Sequence, residues 1–439
     1  MKHLITAACL ALSLNPLLAQ TSAEQLQPYF EAHIQGKNLP QPAEAPINDV
    51  EQATRQAWQA WQQANADVLP LVEAPLAEAR VIKYEIPEAL EPNATMPFYY
   101  GTKGDRPEAG YPLFLYLHGS GHKDSEWATG FKLANHWADA PSFYLVPQIP
   151  NMREYYRWWQ QSKQWVWKLI LRRAMLDENI NHDRIYFFGI SEGGYGSQRL
   201  GCFYADYLAG VGPMAGGEPL RNAPCENLMN TPFSLLTGEY DRMFSRDILT
   251  RRALAALDSL EKAHPGYFKH RIALPEGRGH SIDYSPTTPW LAQFQRNATP
   301  KQFAWENFEM DGLKRNAFYN LKVVKECAPQ DGRIYYTYET RKNEIHITAN
   351  HVTYNTTVRE PQMGIEISFY KTYTPAETGE LVVFLNDQLF NPKKKVRIFV
   401  NGKECFYGKL QPTYASLAES IATFEDAKRV FPYSVRLAW

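Results

Sequence analysis

Residues Gly189-Ile190-Ser191-Glu192-Gly193 stand between a short apolar run, Arg184-Ile185-Tyr186-Phe187-Phe188, and a run of small residues, Gly194-Tyr195-Gly196-Ser197. Gly-x-Ser-x-Gly in a strand–turn–helix setting constrains this chain more than any other feature. A turn that sharp strains the backbone at the serine and lifts its hydroxyl clear of a sheet. Side chains at the flanking positions would clash. The five-residue pattern alone recurs by chance as a glycine-rich turn; the strand before it and the small-residue run after it give it weight.

The surrounding sequence supplies the sheet. Apolar segments suited to strands recur at 81–86, 97–100, 112–117, 143–146, 185–188, 208–212, 233–236 and 270–274, with helices expected over 151–178 and 246–263. Continuous apolar runs such as Pro112-Leu113-Phe114-Leu115-Tyr116-Leu117 suit strands covered on both faces. Regular alternation predicts an α/β fold, a mostly parallel sheet between helices. Near Pro300 the character changes. Strand-like segments at 333–338, 344–348, 381–385 and 396–400 follow, with a tight-turn signal at Asn401-Gly402 and a late helix around 415–427. This stretch is expected to be a β-rich, sandwich-like domain.

The expected organisation is therefore a signal peptide over 1–19, a helical and linker segment over 20–78, the α/β domain over 79–299 and the β-rich domain over 300–439. Within 20–78, Asp49 is placed to cap a helix running through Trp58 and Trp61 to Asn65, against the outside of the main domain, after a stiff linker containing Pro40, Pro42 and Pro46. The first 19 residues combine a basic start, an apolar stretch from Leu4 to Leu18 and a small residue at Ala19. That implies a secreted or periplasmic protein, and no later stretch is apolar for long enough to cross a bilayer. Cys9 comes too early in the apolar stretch to be a lipidation site. Cys202 and Cys225 flank one expected strand, where they form either a disulfide or two buried thiols. The 46 Lys and Arg residues against 47 Asp and Glu give a net charge of -1. That balance offers no electrostatic case for nucleic acid or an anionic membrane surface.

A serine hydroxyl is a poor nucleophile at neutral pH. It needs a histidine to take its proton and a carboxylate to orient that histidine. On a sheet carrying such a turn, the acid and the histidine follow the serine in chain order. Asp241 comes just after the strand ending in Leu235-Leu236 and is the acid candidate, with Glu239 its competitor. His280 lies in a glycine-rich loop after the last expected strand and is the base candidate. Two backbone N–H groups must stabilise the oxyanion. One is expected from Glu192, the other from His118-Gly119-Ser120-Gly121, with Ser120 preferred and Gly119 next. His118 and His122 have metal-pair spacing, but glycines between them argue against a helix, so no metal or other cofactor is expected.

With these residues in view, the chain resembles the α/β-hydrolase superfamily across about 80–296. Tyr111–Gly121 looks like its oxyanion strand and loop, and Asp183–Gly196 like its nucleophile block. The likeness is to secreted bacterial esterases, with similarity to feruloyl and acetyl esterases, polyhydroxybutyrate depolymerases and prolyl-oligopeptidase-type catalytic domains. Val400-Asn401-Gly402-Lys403 and Phe406-Tyr407-Gly408 also look like the tail of some bacterial hydrolases. One departure is Glu192, where many relatives have methionine. Its side chain places a charge near the serine or pairs with an arginine such as Arg153 or Arg157.

The resemblance implies ester cleavage on a small-molecule or polysaccharide substrate, with acetyl or feruloyl groups on carbohydrate as the favoured class. Trp127, Trp158 and Trp159 are the substrate-stacking candidates. Trp165 and Trp167 have spacing equally suited to a helix core. A prolyl-oligopeptidase-type peptidase is the competing activity, although 20–78 is too short for a propeller. A non-catalytic binding protein is a third reading, weakened by the presence of all three triad residue types. The β-rich domain is expected to be structural rather than carbohydrate-binding.

Overall fold

A computed structural model describes residues 24–37, 42, 45–327 and 332–439. The expected signal peptide, Cys9 and Pro40 lie outside them. Two helices come first, α1 (Leu26–Ile34) and α2 (Val50–Ala64). Asp49 caps α2, accepting a hydrogen bond from the Gln52 amide at 3.0 Å. Ala53, Ala57, Ala60 and Trp61 form the buried stripe of α2. They pack with Leu26 and Phe30 of α1 and with Leu417, Ala418 and Ile421 near the end of the chain. The sequence pointed neither to α1 nor to this distant partner.

Eight strands form the main sheet: β1 (Arg80–Glu85), β2 (Thr95–Lys103), β3 (Tyr111–Leu117), β4 (Ser142–Pro147), β5 (Ile180–Ile190), β6 (Gly210–Met214), β7 (Phe233–Leu236) and β8 (His270–Ala273). Their spatial order is β1-β2-β4-β3-β5-β6-β7-β8. The β1–β2 and β2–β4 pairs are antiparallel, and every pairing from β4 through β3 to β8 is parallel. Five helices pack on it: α3 (Lys123–His136), α4 (Gln161–Leu176), α5 (Glu192–Phe203), α6 (Arg246–Ala263) and α7 (Thr287–Leu291). The two-residue period of β3 sorts its side chains. Leu113, Leu115 and Leu117 join the core containing Ile170, Leu200 and Leu257 of α4, α5 and α6. Phe114 and Tyr116 join Ala134 of α3 and Leu291 of α7 on the other face.

The long helix expected over 151–178 is confined to α4. Residues 151–160 instead make one 3-10 turn, Arg153–Tyr155, and an extended approach to the helix. Arg153 has a positive φ of 64°, which interrupts a helix. Tyr156 and Trp158 hold the segment against the C-terminal end of the sheet through hydrogen bonds to backbone carbonyls.

Beyond residue 300 come β9 (Gln302–Asn307), β10 (Ala317–Phe318), β11 (Leu321–Lys325), β12 (Arg333–Arg341), β13 (Glu344–Arg359), β14 (Glu366–Pro375), β15 (Glu380–Leu385), β16 (Val396–Val400), β17 (Lys403–Gly408), α8 (Tyr414–Phe424) and β18 (Tyr433–Ala438). One sheet runs β10-β11-β15-β18; the other runs β17-β16-β13-β12-β9, with β14 paired to β13. β13 is longer than the strand expected at 344–348. Its pairing with β12 ends at Val352, after which it continues with β14 to Arg359↔Glu366. This outer half is a two-stranded ribbon.

The join between the two parts is not a thin seam. Phe303, Trp305, Tyr336 and Val383 belong to the same buried cluster as Leu115 and Phe187. A buried ionic group crosses it as well. Arg429 pairs with both Asp206 and Asp426, Arg315 grips Asp206, and Arg296 reaches Asp426 at 2.7 Å. Cys202 and Cys225 are buried free thiols, and Cys327 and Cys405 are also free. No helix among the described residues is long and apolar enough to cross a membrane.

Candidate active site

β5 ends in the Gly-x-Ser-x-Gly turn, and α5 begins at Glu192. Ser191 has φ 57° and ψ -112°, a conformation that a non-glycine residue holds only under constraint. The constraint is visible. The Ser191 amide donates to the Met214 carbonyl of β6 at 2.9 Å. A Cβ on Gly193 would stand 1.9 Å from the Leu117 carbonyl oxygen of β3, so only glycine lets α5 start this close to the sheet. The hydroxyl is thus presented at the C-terminal edge of the parallel strands.

Asp241 follows β7 and His280 follows β8. Their loops touch backbone to backbone, since a Cβ on Gly238 would lie 1.9 Å from the Gly279 carbonyl oxygen. The result is a continuous line: Asp241 Oδ2 lies 2.6 Å from His280 Nδ1, and His280 Nε2 lies 3.0 Å from Ser191 Oγ. Glu239, the competing acid, accepts instead from the Gly277 amide at 3.0 Å and ties the two loops together.

Arg246, at the start of α6, was not singled out from sequence. Its Nη1 donates to Asp241 Oδ1 at 3.0 Å and its Nε to the Tyr195 hydroxyl at 2.7 Å. Asp241 therefore has one oxygen engaged by His280 and the other by a buried guanidinium. Two successive non-glycine residues of positive φ, Phe244 (58°) and Ser245 (57°), turn the chain to place it. Nothing in residue type announces that turn.

The His118–Gly121 loop lies opposite. Gly119 and Gly121 amides both donate to the Glu126 carboxylate, each at 3.1 Å. Among the described residues no hydrogen bond engages the Ser120 amide, and the first amide of α5, that of Glu192, likewise opens the helix. His118 is buried. Its Nε2 accepts from the Ile149 amide at 3.1 Å, so the proton sits on Nδ1, which donates to the Gly119 carbonyl at 2.7 Å. Burial pulls its pKa down to about 4, which keeps the ring neutral. His118 is a brace for the loop. Among the described residues no group of three or more His, Cys, Asp or Glu side chains could hold a metal.

The tryptophan expectations separate. Trp158 is wholly buried, and its indole N–H donates to the His118 carbonyl at 3.0 Å, so it packs beneath the loop and has no face for a substrate. Trp127 donates to the Val146 carbonyl at 2.8 Å and stacks on Tyr99 at 3.9 Å. It is partly buried and packs against the core of the α3 face. Trp159 alone faces a cavity of about 450 Å³. That cavity begins at Glu192 and Tyr195 and is closed by Phe244 and by Ile365 and Glu366 at the ribbon. The ribbon supplies one wall of this cavity.

Glu192 is buried in that wall. Of its two expected arginine partners the structure selects Arg157, at 3.6 Å. Burial pushes its carboxyl pKa up to about 7, and the nearby Arg157 opposes the rise.

No family model matches the chain, and no curated protein matches it. Solved structures do. A thermostable esterase shares 21% identity over 50% of this chain, which spans 64% of that esterase's length, with a TM-score of 0.36. A ferulic acid esterase from Anaeromyces mucronatus shares 14% over 49% of this chain and 88% of its own, with a TM-score of 0.35. A poly(3-hydroxybutyrate) depolymerase from Bordetella parapertussis shares 13% over 49% of this chain and 86% of its own, also at 0.35.

Proposed function

We propose that this chain is an exported serine hydrolase of the α/β-hydrolase fold that cleaves carboxylic esters through an acyl-enzyme. The 79–299 region would carry the chemistry. The observation that carries the proposal is the unbroken line from Ser191 Oγ through His280 to Asp241, at 3.0 and 2.6 Å. An ionised carboxylate can only accept, so His280 holds its proton on Nδ1 and offers Nε2 to the serine hydroxyl. Ser191 attacks the ester carbonyl while His280 takes its proton. The tetrahedral oxyanion is met by the Glu192 and Ser120 amides. His280 then protonates the leaving alcohol, and water repeats the sequence to release the acid. Arg246 keeps Asp241 facing the imidazole and is a positioning residue.

Hydrolysis of p-nitrophenyl acetate tests this directly. Ser191→Ala should lower kcat by about a thousandfold or more. Full activity in that variant would end the proposal. A panel of acetylated xylan, methyl ferulate and aminoacyl-p-nitroanilides separates carbohydrate esterase from peptidase. Hydrolysis of the anilides alone would replace the esterase reading with the peptidase one.

A further inference from the structure

Four guanidinium groups face the cavity beside Glu192: Arg157, Arg199, Arg221 and Arg359. Arg199 is already engaged, gripping Glu218 at 2.6 and 3.1 Å while lying on Trp159. The other three are held more loosely, with Arg221 also lying over the Tyr354 ring. Arg157 stands 3.6 Å from Glu192, Arg221 stands 3.4 Å from Glu366, and Arg359 stands 3.7 Å from the same Glu366 oxygen. These are long contacts for charge-assisted hydrogen bonds, which favour 2.7–2.9 Å. Arg157 spends one nitrogen on the Tyr156 carbonyl, and Arg359 spends one on the Gly364 carbonyl and, more weakly, one on the Thr356 hydroxyl at 3.4 Å. Their side chains remain 48%, 43% and 53% exposed, so part of each guanidinium is open to a ligand.

The carboxylates in the wall are unfinished too. Glu192 Oε1 and Glu366 Oε2 are buried without any hydrogen-bond partner, although the two residues are only 8% and 7% exposed. Those oxygens can take only donors, whereas the exposed guanidinium nitrogens can meet an acceptor. The cavity has room for a small organic acid, within the size range of small-molecule sites. It starts one residue after Ser191.

We propose that this cavity binds a carboxylate group carried by the ester substrate, gripped by Arg221 and Arg359 with Arg157 beside them. A planar carboxylate matches the guanidinium fork two bonds at a time, which a hydroxyl or a single point charge does not. The proposal rests on the reading of Ser191 as the nucleophile. It also gives the ribbon a purpose, because Arg359 and Glu366 are ribbon residues paired across β13 and β14.

Two matched pairs of esters test it, one for each half of the substrate. The first pair is 4-nitrophenyl hydrogen succinate and its neutral methyl ester. The second is 4-acetoxybenzoate and 4-acetoxybenzamide. In the native protein the charged member of at least one pair should be cleaved with a kcat/KM at least about tenfold above its neutral partner. In Arg221→Ala and Arg359→Ala that ratio should fall several-fold toward one, and in native protein it should fall with added salt. A ratio within one preparation cancels the active fraction, so partial misfolding of a variant cannot imitate the result. Ratios of one or less in both native pairs, or a preference untouched by both substitutions, would overturn the inference. Better cleavage of 4-acetoxyphenyl phosphate than of 4-acetoxybenzoate would overturn the choice of carboxylate. If none of the esters is cleaved, or cleavage survives Ser191→Ala, the nucleophile reading falls and takes this inference with it.

Discussion

Two groups of arginines in this molecule are built from the same residue types and end in opposite states. At the join between the main sheet and the C-terminal strands, Arg296, Arg315 and Arg429 meet Asp206 and Asp426 at hydrogen-bond distance, with Arg296 and Arg429 buried and Arg315 nearly so. Around the cavity, Arg157, Arg221 and Arg359 stand half-exposed at 3.4–3.7 Å from carboxylates that keep unused oxygens. Burying a charge is costly unless geometry and hydrogen bonds repay it. The first group meets most of that condition internally, though Arg429 Nη2 has no partner, and works as structure. The second does not, and its open nitrogens are available to a partner from outside the chain. What separates the two groups is closeness of pairing and depth of burial, not charge.

The comparison can be broken most severely at the join. Asp206→Ala would leave Arg315 and Arg429 facing each other without their shared carboxylate. Denaturant unfolding should show a loss of about 3–5 kcal/mol, the usual cost of stranding a buried charge. A loss under about 1 kcal/mol would mean the group is not closed as described. Arg246 is an intermediate case, complete in its pairing yet inside the site. Arg246→Ala should reduce kcat on a neutral ester by about ten- to a hundredfold, the worth of a hydrogen bond to a charged group. Arg246→Lys should recover only part of that, since it restores charge but not the fork. Equal activity of the two variants would deny Arg246 an orienting role.

Smaller effects follow from Glu192. Its carboxyl is neutral below about pH 7 and becomes an anion above it, among Arg157, Arg199, Arg246 and Glu218. Charge appearing beside a forming oxyanion opposes reaction. Relative to Glu192→Gln, the native kcat/KM should therefore fall about two- to fivefold between pH 6 and 8. Superimposable profiles would remove Glu192 from the reaction's electrostatics. Stability should move with the same sign. An unfolded glutamate ionises near pH 4.5 and the folded one near 7, so the folded chain holds the extra proton in between. Native stability relative to the Gln variant should decline as pH rises from about 4.5 to 7. The smallest effect should come from Arg221→Ala and Arg359→Ala, each within about 0.5 kcal/mol of native stability. A large loss in either would make the open group structural after all.

Much of the site could be read from the chain because its parts are tied to strand ends. Ser191, Asp241 and His280 each follow a strand, and a parallel sheet brings the ends of its strands to one edge. Helix α6 met its expected limits of 246–263, and β3 was legible because both faces are buried. The unread parts depend on tertiary context. Arg246 is placed by two left-handed residues with ordinary side chains. The outer half of β13 mixes Thr, Asn and Val without a dry face, so it carries no periodic apolar signal. Trp127 and Trp158 show that aromatic content near a site does not tell which rings point into it. Each has its indole N–H committed to a backbone carbonyl that only the fold supplies.

The core that runs from Leu115 to Trp305 and Val383 without a break also bears on how such a protein can be altered. A binding module that travels between enzymes brings its own interior and can be cut away or transplanted. This C-terminal part shares its interior with the sheet that presents Ser191, so it is inherited as a whole. The exchangeable unit is the ribbon tip between Asn355 and Tyr370, beyond the ties of Tyr354 and Lys371 to Glu306. New specificities in chains of this architecture should arise by rewriting that tip, with the rest of the molecule left in place.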